Sequence, residues 1–106
     1  MKDIVWKGDS LKILRNFPKS IRQDFGSDLF RLQNGLQAKD GKPFIGLKRQ
    51  TFELRTRDNA GIYRILYVTF FKDKLVVLHC FQKKTQKTAK KDVEIANLRL
   101  KNLALP

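Results

Sequence analysis

The chain is short of the residues that build metal clusters and covalent frameworks. Among 106 residues there is one cysteine (Cys80), one histidine (His79), one methionine and one tryptophan. A single cysteine excludes a disulfide framework within the chain, and with one histidine beside it no zinc site can be assembled from Cys and His. Proline is scarce too, at three residues, and no Ser/Pro linker, internal repeat or low-complexity tail divides the sequence. The uncharged stretch from Ile65 to Phe71 is far too short to cross a bilayer. The start, Met1-Lys2-Asp3-Ile4, has no apolar run of the kind a signal peptide carries. Acidic residues are few and scattered, ten against 23 Lys and Arg, which leaves a net charge of +13.

What is present suits one folded unit over residues 1–106. The length is enough to bury a core, and 42% hydrophobic with 31% charged residues is neither a disordered nor a membrane composition. The expectation is a small, soluble, cytoplasmic, strongly cationic domain. Such charge points first to nucleic acid, then to an acidic protein or an anionic surface.

Ile4-Val5-Trp6 reads as a short first strand. Asp9 or Ser10 offers a helix N-cap, with Leu11, Leu14 and Phe17 at helical spacing. Pro18 interrupts and restarts a helix, whose apolar stripe runs through Ile21, Phe25, Leu29, Leu32 and Leu36 and stops near Gly35. Asp40-Gly41 and Pro43 mark a loop. The period then falls to two: Thr51 to Arg57, Ile62 to Phe71 and Leu75 to Lys83 read as three strands of an antiparallel meander, separated by turns at Asp58–Gly61 and Lys72–Lys74. From Thr88 as N-cap, Val93, Ala96, Leu100 and Leu103 recur at helical spacing. The expected class is α+β: a small antiparallel sheet, the meander plus a short N-terminal strand, with two N-terminal helices and one C-terminal helix packed on one face.

Alternation separates the two faces of such a sheet. Val76, Leu78 and Cys80 share one parity, with Phe52 and Leu54 placed toward the core. Glu53, Arg55, Arg57, Arg64, His79, Phe81 and Lys83 fall on the other face, together with Val77. If the registers align, these polar groups converge; the ordinary alternative is a solvated polar face.

The blocks Phe52-Glu53-Leu54-Arg55, Tyr63-Arg64-Ile65-Leu66-Tyr67 and Leu78-His79-Cys80-Phe81-Gln82-Lys83-Lys84-Thr85, in that order, resemble the RelE/ParE toxin superfamily, and within it the HigB-like, phage Gp49-related branch. Phe17-Pro18, Gly35, Pro43 through Leu47 and the final helix fit the same branch, so the resemblance spans nearly the whole chain. One departure is Ala89, where the branch often carries proline. The resemblance implies a bacterial type II toxin, expected to be a ribosome-dependent messenger RNA endonuclease that blocks translation. Its partners would be a cognate antitoxin, expected to be of helix-turn-helix type, and the ribosome with its messenger RNA. Neither a small-molecule cofactor nor a membrane is expected. ParE-type relatives inhibit DNA gyrase instead, and a non-catalytic basic protein that binds RNA or antitoxin is a further alternative.

Metal-independent RNA cleavage uses the substrate's 2′-hydroxyl as nucleophile. The protein must accept that proton, stabilise the five-coordinate phosphorus and protonate the leaving 5′-oxygen. Arg64 leads the catalytic candidates because a guanidinium fork matches phosphate oxygens; its ordinary alternative is a surface ion pair with Glu53. Arg55 follows for the same reason. Lys83 and Lys84, near arginines, suit proton transfer or simple solvation. His79 titrates near neutrality unaided, but a lone strand histidine is commonly a hydrogen-bonded structural residue. Glu53 fits a general base or, more ordinarily, a carboxylate that orients Arg55 and Arg64. For RNA binding the candidates are Lys48, Arg49, Arg57, Lys87, Lys90 and Lys91, with Phe81 as a base-stacking ring. Five lysines lie in the nine residues from Lys83 to Lys91. Tyr63 and Tyr67 share the core parity and are read as structural.

Overall fold

The computed structural model describes residues 1–47, 49–69, 73–83 and 88–103. Lys48, Lys84 and Lys87, along with the end of the second meander strand at Phe70 and Phe71, lie outside the described residues. The element order is β1 (Asp3–Trp6), α1 (Ser10–Arg15), α2 (Lys19–Gln33), β2 (Gly41–Phe44), β3 (Thr51–Asp58), β4 (Gly61–Val68), β5 (Lys74–Lys83) and α3 (Lys90–Lys101). The strands form one mixed sheet in the order β1-β5-β4-β3-β2. The α+β class and the meander agree with the sequence pattern. No helix among the described residues is long and apolar enough to cross a membrane.

Helix α2 closes as its sequence dictates. Gly35 takes φ 77°, and Leu36 N–H donates to Arg31 O at 2.9 Å while Gly35 N–H donates to Leu32 O at 3.1 Å. This paired arrangement satisfies the terminal carbonyls and needs a residue at ease with positive φ. The turn also ends the stripe early: Leu36 lies beyond the helix and is exposed. Ile21, Phe25 and Leu29 of α2, with Leu14 and Phe17, pack against Leu54, Tyr63, Ile65, Tyr67, Leu75, Val77 and Cys80. Phe17 meets Tyr63 edge-on with ring centroids 5.0 Å apart.

Several expectations need correction. The three helices do not share a sheet face. Ala96 and Leu100 of α3 cover Leu66, Val68, Val76, Leu78 and Phe81 on the side opposite α1 and α2. The middle strand is apolar on both sides, so each side needs a cover. The short N-terminal strand runs parallel to β5: α1 and α2 lead into β2 in the direction opposite to β1, and three antiparallel pairings then bring β5 back to the direction of β1. The segment around Pro43, expected as a loop, is strand β2 at the sheet edge, paired antiparallel with β3; an edge accommodates proline because the missing N–H falls on the unpaired side. Helix α3 has Ala89, not Thr88, at its N-cap, and neither Asp9 nor Ala89 caps its helix through a side chain.

A bulge accounts for the last correction. Leu66 pairs with His79 but Tyr67 pairs with Val77, so β5 carries Leu78 as an extra residue. The bulge exchanges the faces: Leu75, Val77 and Cys80 share the α1–α2 core, whereas Val76 and Leu78 lie on the side of Phe81. Val77 therefore leaves the polar face that alternation assigned to it.

Candidate functional site

Register decides which of the predicted polar residues meet. Glu53 pairs with Leu66, which pairs with His79; Arg55 pairs with Arg64, which pairs with Phe81; Arg57 pairs with Ile62, which pairs with Lys83. Directly paired residues of an antiparallel sheet share a face. Three cross-strand rows thus carry all seven residues on the face that α3 partly covers.

At the centre is a buried ion pair. Arg64 Nη1 lies 2.7 Å from Glu53 Oε2, with the carboxylate 1% exposed. This is the pairing foreseen from sequence as a surface contact; it lies in the interior instead. Glu53 Oε1 faces Lys42 Nζ of β2 at 3.4 Å. Lys83 is buried at the end of β5. Burial is the main cause that lowers its ammonium to a pKa of about 8, the positive charge of Arg64 adds to the effect, and Glu53 opposes it. A cleft of about 540 Å³ opens over the Glu53–Arg64 pair, lined also by Lys42, Pro43, Phe44, Ile45, Thr88 and Val93. Because β5, β4, β3 and β2 are consecutive, Lys83 and Lys42 stand on opposite flanks of the ion pair.

Arg55 and Arg57 take a different path. Strand β2 begins at Gly41 opposite Leu54, and just before it Asp40 O accepts from Arg55 N–H at 3.2 Å, so the edge of β3 is left by β2 only beyond Arg55. The Arg55 guanidinium swings round that edge to Asp40, 3.6 Å from Nε to Oδ2. Both arginines line a second cleft of about 470 Å³ with Asp24, Asp28, Arg31 and Lys39. Sharing a face with Arg64 in the register does not bring them into its cleft.

His79 is held within the fold. Its Nε2 lies 2.8 Å from Asp92 Oδ1 of α3. Arg99 Nη1 donates to Leu78 O at 2.9 Å and faces His79 Nδ1 at 3.5 Å. A guanidinium is donor only, so Nδ1 is the acceptor, and the ring proton assigned from this network sits on Nε2 and is donated to Asp92. Arg99 Nη2 reaches on to Asp9 Oδ1 at 2.7 Å. That hydrogen bond, more than anything else, holds the Asp9 carboxyl below its usual range. The network ties α3 to β5 and to the start of α1. It also fixes Gly8, at φ 56°, where a Cβ would run into the Arg99 guanidinium. Phe81 is buried and stacks on the His79 ring at 5.0 Å. Lys90, Lys91 and Arg49 are exposed, Lys90 being 3.9 Å from Glu94.

Sequence reasoning missed Lys42, Phe44 and Ile45, which Gly41 and Pro43 disguised as loop, and Asp92 and Arg99, whose partners are remote in the chain. An acid in the first turn of the last helix was the only hint of Asp92.

A sheet covered by two helices on one side and by a single helix on the other is a fold shared with solved structures of the RelE toxin. The isolated E. coli RelE toxin matches with TM-score 0.61 at 17% identity, over 81% of this chain and 89% of that one. A RelE with two arginine-to-alanine substitutions, in the free state, matches with TM-score 0.65 at 18% identity, over 93% and 97%. No curated protein matches the chain. Residues 12–101 match the phage-derived Gp49-like family, and the chain belongs to that family, the branch of the RelE/ParE superfamily that its motif series resembles.

Proposed function

We propose that this chain is the toxin of a type II toxin–antitoxin pair and a ribosome-dependent endoribonuclease that halts translation in the cytoplasm. The observation that carries this reading is the Glu53-oriented Arg64 lining a cleft together with Lys42, with the buried Lys83, its pKa lowered to about 8, on the next strand within reach of the Arg64 charge. Family membership and the RelE fold support it.

The roles follow from charge and position. The neutral Lys83 amine takes the 2′-hydroxyl proton as that oxygen bonds to the adjacent phosphorus. Arg64 neutralises the charge that builds on the non-bridging oxygens. Attacking and leaving oxygens occupy opposite ends of the five-coordinate phosphorus, and Lys42, on the far flank from Lys83, supplies the proton for the departing 5′-oxygen. The products are a 2′,3′-cyclic phosphate and a 5′-hydroxyl. Glu53 holds the Arg64 fork in place. His79 serves the fold through Asp92 and Arg99. The exposed lysines and arginines bind ribosomal RNA, with a salt dependence set by the phosphates they neutralise. An antitoxin of helix-turn-helix type covers part of this surface.

Induced expression in a host without the antitoxin tests the reading. Amino-acid incorporation is expected to stop first, with messenger RNA broken inside codons. Loss of plasmid supercoiling ahead of translation would establish a gyrase-directed inhibitor instead, and unimpaired growth would leave a basic binding protein.

A further inference from the structure

The cleft over Arg64 has a second wall that the cleavage chemistry does not use. Beyond Lys42, β2 continues through Pro43 and Phe44, and Ile45 follows at the strand end; all line the cleft together with Val93 of α3. Phe44 is anchored, packed at the edge of the core beneath α3. Ile45 is 93% exposed, an aliphatic side chain standing in water beside the Lys42–Glu53–Arg64 cluster. The cleft volume of about 540 Å³ falls within the range of roughly 300–1,000 Å³ typical of pockets for compact ligands.

From this wall we propose a base-binding subsite for the ribonucleotide on the 3′ side of the cut, with its unstacked base packed on Ile45 and Phe44. The assignment rests on the nuclease reading for direction. Lys42 meets the leaving 5′-oxygen, which belongs to the 3′ nucleotide, and Phe44 and Ile45 follow Lys42 just beyond Pro43 in the chain. An apolar platform beside a cation is how single-stranded RNA is gripped: bases are splayed out onto side chains while the backbone stays with the charge. A peptide partner fits less well, because the buried floor is an ion pair and not an apolar trough.

Two measurements test the proposal. In the first, the Ile45 methyl resonances are followed while a trinucleotide blocked by 2′-O-methylation is added. A saturable upfield shift from the base ring current is expected, and titration calorimetry with the same trinucleotide is expected to show about fivefold weaker binding in Ile45→Ala, whose exposed position spares the fold. In the second, ribosomes are programmed with RNA carrying an abasic nucleotide 3′ of the cut. The wild type is expected to lose about fivefold or more in cleavage, and Ile45→Ala to show little further loss from the same abasic change. No shift at Ile45, or equal abasic penalties in the two proteins, overturns the subsite. A normal ring-current shift from a protein that leaves ribosome-bound RNA intact overturns the nuclease reading while the subsite stands.

Discussion

Arg64→Ala is expected to lower single-turnover cleavage of ribosome-bound messenger RNA by about 10²–10³-fold, the range seen when one preorganised charge-stabilising donor is removed. Arg64→Lys is expected to fall between the two, because an ammonium keeps the charge but loses the planar fork. The same substitution also has a structural cost. Glu53 is 1% exposed and 2.7 Å from Arg64, and stripping one partner from a buried pair leaves a charge whose burial costs about 3–5 kcal/mol. Lys42, on the exposed side of Glu53, offsets part of that loss. The double variant Glu53→Gln with Arg64→Met removes both charges and is expected to recover most of the stability and none of the cleavage. Thermal unfolding and cleavage rates measured on all four proteins separate the two effects. A stable double variant that cuts at the wild-type rate would remove Arg64 from the chemistry.

Lys83 governs the second large effect. If its neutral amine is the proton acceptor, the cleavage rate rises with pH and levels off above an inflection at about 8, the value to which burial and then Arg64 lower it. At pH 7 about a tenth of the population carries the free amine, against well under a thousandth for an ordinary lysine. Lys83→Arg is expected to stay charged throughout, to lose about 10²–10⁴-fold, and to show no rise near pH 8. Stability carries the opposite signature. The folded-state pKa lies below the unfolded value of 10.5, so the fold disfavours the charged form: Lys83 detracts from stability below pH 8, and the penalty fades as pH climbs from 8 toward 10.5. Lys83→Met is accordingly expected to be more stable than wild type at pH 7 and to lose that advantage at high pH. A wild-type rate that is flat from pH 6 to 9 would rule out this proton transfer.

These expectations rest on a geometry that was partly legible in the sequence. Period-two patterning exposed the meander, and the cross-strand rows headed by Glu53, Arg55 and Arg57 follow from it because β3 and β4 pair without interruption. The helix stripe from Ile21 to Leu29 was equally clear, and Gly35 marked its end. What stayed hidden was non-local or disguised. Pro43 concealed an edge strand, and with it Lys42, because proline is compatible with the unpaired side of a sheet and with a loop alike. The extra residue at Leu78 has no signature in an unbroken apolar run, so the face of Val77 was unreadable. A hydrogen-bonded structural role for His79 was the ordinary reading, but its partners were hidden, because nothing in its neighbourhood announces Asp92 and Arg99, which α3 delivers from 13 and 20 residues away. Arg55 has the right parity but the wrong surroundings: Asp40, just ahead of β2, takes both its backbone N–H and its guanidinium.

The most direct test of the central claim uses an RNA in which one nucleotide lacks its 2′-oxygen. Ribosomes are programmed with a message carrying a single 2′-deoxy substitution on the 5′ side of a mapped cut, and the fragments are sized and end-mapped. With Arg64, Lys83 and Lys42 acting on the RNA's own hydroxyl, cutting at that position vanishes, and the unmodified message yields a 2′,3′-cyclic phosphate and a 5′-hydroxyl. Undiminished cutting of the deoxy-substituted message, or fragments ending in a 3′-hydroxyl and a 5′-phosphate, would contradict the account.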